Sequence, residues 1–250
     1  MCGRYVNVAS NDDLTKEFEV EEVVGDDPGP SWNVAPTDPV RVIVERAPRE
    51  PDAPAAAVRQ LRTVRWGLVP NWSRDSNGGA KMINARIETV TTKPAFKTAA
   101  ARRRCLVPAL GYYEWQKTDR GKVPYFLHDP DGGLLAMAGL YELWRDPALA
   151  DDDPKRWLWT CTVITQQAPD LLGLIHDRNP VVIPAELREQ WLDCSSEDAA
   201  VAQRVLDEIR PAQLEPYVVS SAVGNVKNND PELIKPVDPT LRPLQERLDL

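Results

Sequence analysis

The sequence predicts an α+β fold, a single domain with a mostly antiparallel sheet or open barrel core flanked by short helices. Short segments rich in β-branched and aromatic residues follow one another along the chain and are joined mainly by short turns. The chain contains 23 prolines against 13 glycines, a balance that favours stiff connections over long helices. A length of 250 residues, 42% of them hydrophobic, is sufficient for one sizeable core.

Helical periodicity is confined to short segments. Leu14 and Phe18 have the spacing of neighbours on one helix face, which predicts a helix over 12–20. Further helices are predicted at 94–104, 169–175, 185–191 and 196–209. Segment 26–39 is rich in Pro, Asp and Gly, and segment 47–57 in Pro and Ala, so both are predicted to be loops.

Strand patterns cover much of the remaining chain. Strands are predicted at 3–6, 40–45, 61–69, 105–110, 112–116, 123–129, 134–144, 157–165, 181–183 and 217–220. The turn sequence DPDGG at 129–133 predicts a β-hairpin between the two strands that flank it. We assign residues 1–235 to one domain and residues 236–250 to a peripheral, proline-rich C-terminal tail.

Composition excludes several classes of protein. No apolar run approaches the roughly 18–20 residues that span a bilayer, and the N-terminus lacks the apolar stretch of a secretory signal. We therefore expect a cytoplasmic protein with no membrane partner. The four cysteines lie far apart without a CxxC pair, so we expect no zinc site of the usual spacing, no other metal and no cofactor.

The charge distribution is uneven. The net charge of −8 argues against generic DNA binding. Residues 59–104, however, contain eleven basic and two acidic side chains, a window of +9 in a chain whose remainder is −17. This basic window is a candidate surface for a polyanion, and the alternative is a set of solvated faces with salt bridges to the acidic segments.

Cys2 is the first candidate catalytic residue. Removal of Met1, which is normal before a small residue, leaves Cys2 with an α-amine of pKa about 7.7–8.0 next to a thiol of pKa about 8.5. Both groups are then partly nucleophilic near neutral pH. An aldehyde would condense with them to a thiazolidine ring, whereas an amide would be attacked by the thiol with the amine as base. The alternative is a chance cysteine near a disordered terminus.

Three more residues have side chains suited to such chemistry. Alternation along a strand places Tyr112, Glu114 and Gln116 on one face, and a carboxyl group beside aromatic rings can hold the raised pKa of a proton donor. His176 can shuttle a proton. The amide of Asn84 can hold an oxygen atom. An exposed strand carboxylate and a satisfied surface histidine are the plainer alternatives, and His128 is expected only to flank a turn.

Several motifs together resemble one known family. They are MCGRY (1–5), NVAPT (33–37), WGLVPNW (66–72), NARIET (84–89), RRCLVPALGYYEW (103–115) and IHDRNPVVI (175–183). In order and spacing they resemble the SOS response-associated peptidase family, the abasic-site-shielding proteins, from residue 1 to about residue 230. One departure is Asn179, where the family usually has methionine.

The resemblance implies a function. Members of the family remove their own Met1, and the mature cysteine captures the aldehyde of an abasic site in single-stranded DNA, so that the thiazolidine shields the lesion from cleavage. Carried over to this chain, Cys2 is the nucleophile and Asn84 positions the abasic sugar or the terminus. Glu114 is an acid/base and His176 a second acid/base in Schiff-base chemistry related to that of lyases.

The resemblance also implies a positively charged DNA groove on a single α+β domain. The expected DNA-binding residues are Arg4, Arg86 and Arg178 for phosphates, and Trp66 and Trp72 for stacking on bases or wedging a strand junction. We expect a monomer that associates with the nucleoid when bound to damaged DNA.

Three other functions remain open from the sequence. An N-terminal-nucleophile amidotransferase also often begins MCG, and Asn77-Gly78 resembles its oxyanion loop, but the basic window is then unexplained. Cys2, His176 and Asn84 suit a thiol peptidase as well. A third possibility is a non-enzymatic nucleic-acid-binding module in which Cys2 is incidental. Replacing Cys2 by alanine distinguishes such a binding module from the functions that depend on the Cys2 thiol.

Overall fold

The computed structural model describes residues 2–47 and 57–237. The strands are β1 Tyr5–Asn7, β2 Glu22–Val24, β3 Ser31–Val34, β4 Pro39–Arg46, β5 Val58–Trp66, β6 Asn84–Arg86, β7 Arg104–Ala109, β8 Gly111–Thr118, β9 Gly121–His128, β10 Leu135–Arg145, β11 Trp157–Gln167, β12 Arg178–Pro180 and β13 Glu215–Val218. The α-helices are α1 Asn11–Glu17, α2 Pro94–Arg102, α3 Asp170–Ile175, α4 Arg188–Leu192 and α5 Ala199–Glu208. Short 3-10 turns connect several of them.

The larger sheet contains a closed barrel. Its strands run in the order β12-β11-β10-β7-β4-β5-β2, and β6 pairs in addition with β11. Because β11 also pairs in parallel with β5, at Thr160–Arg65 and Cys161–Trp66, the strands β11, β10, β7, β4 and β5 form a ring. The predicted α+β fold is thereby confirmed, with a barrel that is closed rather than open. Closure satisfies backbone groups that an open edge would expose.

The smaller sheet brings the N-terminus beside the strand that carries Glu114. Its order is β13-β9-β8-β1-β3, and each pairing in it is antiparallel. Tyr5 of β1 lies opposite Tyr112 of β8. Strands β8 and β9 form a hairpin that closes with Thr118 opposite Gly121. The start of the chain is thus held within the smaller sheet, where β1 is paired on both sides.

The predicted hairpin around the turn 129–133 is wrong. Strand β9 pairs with β8 and β13 in the smaller sheet, whereas β10 pairs with β7 and β11 in the larger one. Both edges of each strand are therefore occupied by other partners. The turn does connect β9 to β10, but it leads the chain from the smaller sheet to the larger one. Which sheet each strand joins depends on long-range strand pairing and not on the turn residues.

Other predicted elements are shifted or extended. The first helix is Asn11–Glu17, and it starts at a capping box in which Ser10 and Asp13 bond each other's backbone N–H groups. The predicted loop 26–39 contains β3, and β12 lies at 178–180 rather than 181–183. Most of the predicted loop 47–57 and of the predicted tail 236–250 lies outside the described residues.

The core consists mainly of two hydrophobic clusters on opposite faces of the barrel strands. One face packs against the helices, with Leu14, Phe96 and Trp191 among its buried side chains. The other face, which includes Trp66 and Val163, packs against the start of the chain. Within the described ranges, no helix combines the length and the apolarity needed to cross a membrane.

Candidate functional site

Cys2 is fully buried and lies three residues before the first residue of β1. It belongs to the hydrophobic cluster that also contains Tyr5, Tyr112 and Trp66. The backbone carbonyl of Cys2 accepts a hydrogen bond of 2.7 Å from the side-chain Nδ2 of Asn84. The predicted nucleophile is therefore held in a packed environment and is not part of a loose terminus.

Strand β6 positions Asn84. It runs parallel to β11 with Asn84 opposite Val163. The preceding carbonyl, that of Ile83, accepts hydrogen bonds from the backbone of Val163 and from the indole Nε1 of Trp66, each at 3.0 Å. These contacts fix the strand from two sides. Among the residues that the structure describes, the buried Oδ1 of Asn84 has no hydrogen-bond partner, so it can accept one at the Cys2 end.

Glu114 lies in β8 and is 4% exposed. Burial raises the pKa of its carboxyl group, and the nearby charge of His176 partly opposes this effect. Burial also raises the pKa of the Cys2 thiol, and the charge of Glu114 adds to the increase. The electrostatic coupling between these groups places Cys2, Glu114 and His176 in one neighbourhood.

His176 follows the last residue of α3. Its ring Nδ1 accepts a hydrogen bond of 3.0 Å from the backbone N–H of Arg178. Because a backbone N–H can only donate, the neutral ring carries its proton on Nε2. The exposed carboxylate of Asp177 lies 2.9 Å from the same Nδ1 and competes for that position once the ring is protonated.

Glu114 and His176 line one small gap between β8, α3 and β12. Tyr112, Leu172, Arg178 and Asn179 are among the residues that complete its wall. Gln116, two positions beyond Glu114, donates a hydrogen bond to the carbonyl of Leu174 in α3. The predicted common face of Tyr112, Glu114 and Gln116 is thus confirmed, since all three point towards α3.

Two of the residues expected to contact DNA are engaged inside the protein. The Arg4 guanidinium donates to Asn33 Oδ1 at 2.8 Å and to the carbonyls of Val223 and Gly224. Trp66 is fully buried, with its ring edge-on to Tyr5 at a centroid distance of 5.2 Å. The free protein therefore does not present Trp66 to a base, and Arg4 ties the N-terminal segment to residues 223–224.

The other three residues lie at the surface or close to it. Trp72 is 65% exposed, and Arg86 is also exposed. Arg178 makes a two-pronged ion pair with Glu88, with N–O distances of 2.6 and 2.9 Å. A phosphate that binds Arg178 must therefore compete with the Glu88 carboxylate.

The basic side chains of the window at 59–104 differ in their surroundings. Several of its arginines already have partners within the protein, some of them at the surface: Arg59 pairs with Glu45 and Glu189, Arg102 with Glu197, Arg103 with Glu142, and Arg104 with backbone carbonyls. Others are exposed, namely Arg74, Lys81, Arg86, Lys93 and Lys97. The second group provides exposed cationic side chains for which no carboxylate contact is seen among the described residues.

Tyr112 and Asn179 also line the gap, although the sequence predicted no role for either. The Tyr112 hydroxyl is buried, has no hydrogen-bond partner among the described residues, and lies near enough to Cys2 and Glu114 for their charges to raise its pKa further beyond the effect of burial. Strand alternation had already placed Tyr112 on the Glu114 face, which was the available signal. Throughout the described ranges, no group of three or more His, Cys, Asp or Glu residues is arranged to hold a metal ion.

Comparison with known proteins gives concordant matches. Residues 1–226 match the family described as SOS response associated peptidase (SRAP). The chain is 36% identical to the abasic site processing protein YoqW of Bacillus subtilis over 94% of this chain and 99% of that one. It is 31% identical to the abasic site processing protein HMCES of Gallus gallus over 84% of this chain and 67% of that one.

Solved structures share the fold. A protein from Bacteroides thetaiotaomicron superposes with a TM-score of 0.75 at 23% identity, covering 94% of this chain and 100% of that one. A phage-related protein from Bordetella bronchiseptica gives a TM-score of 0.61 at 28% identity, covering 87% of this chain and 94% of that one.

Proposed function

Because the chain belongs to the SOS response associated peptidase family, we propose that it processes abasic sites in DNA by covalent capture at Cys2 after Met1 has been removed. The relatives from Bacillus subtilis and Gallus gallus are named abasic site processing proteins. The observation that carries the finer proposal is the anchoring of Cys2, which is fully buried, held through its carbonyl by Asn84 and coupled to Glu114.

The capture proceeds through one condensation, which forms an imine, and one addition, which closes the ring. The α-amine of Cys2 adds to the C1′ aldehyde of the ring-opened sugar, and the adduct loses water to give an imine. The thiol then adds to the imine carbon, a C–S bond forms, and the thiol proton is transferred to the nitrogen. The product is a five-membered thiazolidine, and the only by-product is one molecule of water. No oxidant or reductant is consumed.

Glu114 acts as the acid that protonates the departing hydroxyl group. Burial raises the pKa of its carboxyl group, so the protonated form persists to higher pH than for an exposed glutamate. General acid catalysis of this kind contributes on the order of 10²–10⁴-fold to a rate. His176, on the same gap, is the second acid/base and exchanges a proton with the sugar oxygen.

Asn84 positions the reacting end of the chain. Its Nδ2 holds the Cys2 carbonyl at 2.7 Å, and its Oδ1 is free to accept a hydrogen bond from the new α-amine or from a sugar hydroxyl. Removal of Met1 is part of the proposal, since before it the Cys2 nitrogen is an amide. We propose that the chain carries out this cleavage itself, as the family name suggests.

Single-stranded DNA is the proposed substrate, bound by a monomer in the cytoplasm or on the nucleoid. Exposed Arg86 and the outer basic residues supply contacts to phosphates, and Trp72 supplies a ring for stacking. Arg178 joins them when a phosphate displaces Glu88. An extended single strand can present its opened sugar to a buried cysteine more readily than a stacked duplex can.

A denaturing gel tests the proposal. We expect wild-type protein and a single-stranded oligonucleotide with one abasic site to give a covalent band that survives denaturation. Cys2→Ala should give none. The matched substrate is the same oligonucleotide with its aldehyde reduced to an alcohol by borohydride, which should also give none. A wild-type protein that binds the DNA without a covalent band would overturn the proposal and favour a binding module. Hydrolysis of free glutamine instead would favour the amidotransferase.

A further inference from the structure

The Tyr112 hydroxyl is a buried donor at the reacting end of the chain. Tyr112 is fully buried, and its hydroxyl oxygen makes no hydrogen bond to any described residue. Its ring belongs to the hydrophobic cluster that contains Cys2 and Leu172, and it lines the gap that also contains Glu114. The reaction described above assigns no role to this hydroxyl.

The next residue along β8 provides a direct comparison. Tyr113 faces the other side of the strand, where it packs against Phe126, and its hydroxyl donates a hydrogen bond of 2.8 Å to the carbonyl of Trp32. A buried hydroxyl without such a partner lowers the free energy of unfolding, and phenylalanine would avoid that cost while keeping the ring. Tyr112 therefore carries a hydroxyl that the fold itself does not use, which is typical of a group that meets a ligand.

The aldehyde oxygen of the abasic site changes its bonding at each stage of the proposed condensation. It begins as a carbonyl oxygen, becomes the hydroxyl group of the amine adduct, and leaves as water after Glu114 has protonated it. This atom must therefore lie close to both Cys2 and Glu114. A carbonyl oxygen can only accept hydrogen bonds, so it needs a donor. The Oδ1 of Asn84, which the described residues leave unpaired, is an acceptor and cannot fill that need.

We infer that Tyr112 is a further catalytic residue, whose hydroxyl donates a hydrogen bond to the aldehyde oxygen of the ring-opened sugar and then to the same oxygen in the amine adduct. This role rests on the proposed function. The hydrogen bond makes C1′ more electrophile-like by stabilising the negative charge that develops on the oxygen as the amine adds. Tyr112 keeps its own proton throughout, so the atom balance of the two steps is unchanged.

The ionisation behaviour of Tyr112 agrees with a donor role. Burial raises the pKa of its hydroxyl well above the ordinary value for tyrosine, and the charges of Cys2 and Glu114 raise it further. The hydroxyl therefore stays protonated at neutral and mildly alkaline pH, where the amine of Cys2 reacts. The electrostatic influence of both side chains also agrees with a hydroxyl that lies near each of them.

Tyr112→Phe removes the hydroxyl and keeps the ring. We expect the limiting single-turnover rate of crosslinking to an abasic single strand to fall about tenfold, the effect of one lost hydrogen bond in the transition state. The DNA concentration that gives half of this rate should stay near the wild-type value, because the residues proposed to hold the phosphates are unchanged. Stability towards urea should stay equal or increase, since an unpaired buried hydroxyl is lost.

Tyr113→Phe is the matched control. It loses the same atom one residue along β8, on the face that belongs to a different hydrophobic cluster from that of Cys2. We expect the opposite pattern for this variant. Its stability towards urea should fall, because the carbonyl of Trp32 loses its donor, whereas its limiting crosslinking rate should match that of the wild type.

The outcomes separate this role of Tyr112 from the proposed function. A slower Tyr112→Phe that is at least as stable as the wild type, together with a Tyr113→Phe that reacts at the wild-type rate, would support the role. A wild-type rate in Tyr112→Phe, a loss of its stability, or an equal slowing of both variants would overturn the role and leave covalent capture intact. A wild-type protein that forms no crosslink would overturn the proposed function and this role with it.

Discussion

Burial of Cys2 makes its thiol harder to ionise, but it also fixes the position of the reacting groups. Burial and the Glu114 charge raise the thiol pKa, so little thiolate is present at neutral pH. In the proposed order of steps, the amine reacts first and forms an imine. The imine carbon is electrophilic enough to be attacked by a neutral thiol, which loses its proton during the attack. A tightly positioned reactant can supply much of the acceleration that a low thiol pKa would otherwise give.

Glu114 should make the stability of the fold depend on pH. Its pKa is raised in the folded state by burial, whereas in the unfolded chain it is about 4.3. As pH rises above about 4.3, the unfolded state releases its proton first, so the wild type loses free energy of unfolding until folded Glu114 ionises. We expect Glu114→Gln to match the wild type near pH 4 and to be more stable at pH 8, by about 1.4 kcal/mol for each unit of the increase.

Urea denaturation at both pH values measures this difference, on proteins shown by mass to have the same N-terminus. Exposed Glu186→Gln is the control and should show no such change between the two pH values. A Glu114→Gln variant that is less stable than the wild type at pH 8 would mean that the carboxylate, not the acid, is the form that the fold favours.

The residues of the site could be predicted from sequence only in part. Cys2, Glu114 and His176 stand out by chemistry, and their proximity follows from pairings such as Tyr5 with Tyr112 that no local pattern specifies. Trp66 was placed on the DNA surface because an aromatic ring suits both stacking and packing. Burial, which decides between these two uses, depends on the neighbouring strands.

At the scale of secondary-structure elements, strand β8 carries Glu114 and is tightly packed at its first residue. Gly111 starts it, and a Cβ there would lie 2.4 Å from Phe126 Cζ and 2.6 Å from the carbonyl oxygen of Leu127. The second atom belongs to the backbone of β9, which cannot move without breaking the hairpin that holds Glu114 opposite Tyr125.

Gly111→Ala should therefore destabilise the protein and slow the reaction. Overpacking of this kind costs about 1–3 kcal/mol. Chemical denaturation measures the loss, and the crosslinking rate reports the displacement of Glu114. Gly224→Ala is the matched control, because a Cβ there meets no atom within 4 Å. Equal stability of the two variants would show that the hairpin accommodates the added methyl group without the expected loss of free energy of unfolding.

Element boundaries were predictable where local signals were strong. The helix predicted at 12–20 occupies 11–17, and the long apolar strands β10 and β11 were placed to within a few residues. The short strands β2 and β6 have no pattern of their own and exist because β5 and β11 offer them edges. The placement of β9 and β10 in different sheets was not predictable either, because it too depends on long-range strand pairing.

At the scale of the whole molecule, the acidic net charge is compatible with DNA binding because part of the basic window remains exposed. Part of the basic window is paired with carboxylates of the protein itself, as Arg59 is with Glu45 and Glu189. The exposed remainder, which includes Arg86, is what a phosphate backbone can reach. Local charge and not net charge should then govern affinity.

Arg86→Ala should weaken DNA binding and make it less sensitive to salt. Loss of one phosphate contact reduces the slope of log affinity against log salt concentration by about 1. Fluorescence anisotropy with an undamaged single strand, at several salt concentrations, measures the salt dependence of non-covalent affinity without covalent capture. Arg102→Ala is the control, since its guanidinium pairs with Glu197, and its slope should stay near that of the wild type. Equal slopes for Arg86→Ala and the wild type would place the phosphate path elsewhere.

The central claim is that Cys2 forms a thiazolidine with an abasic site. Intact-mass analysis of wild type and Cys2→Ala, each with and without single-stranded DNA carrying one abasic site, tests it most directly. We expect a wild-type protein without Met1 and an adduct with the mass of that protein plus the oligonucleotide minus one water, and we expect no adduct with Cys2→Ala. An adduct that retains Met1, or DNA binding by the wild type without any covalent species, would contradict it.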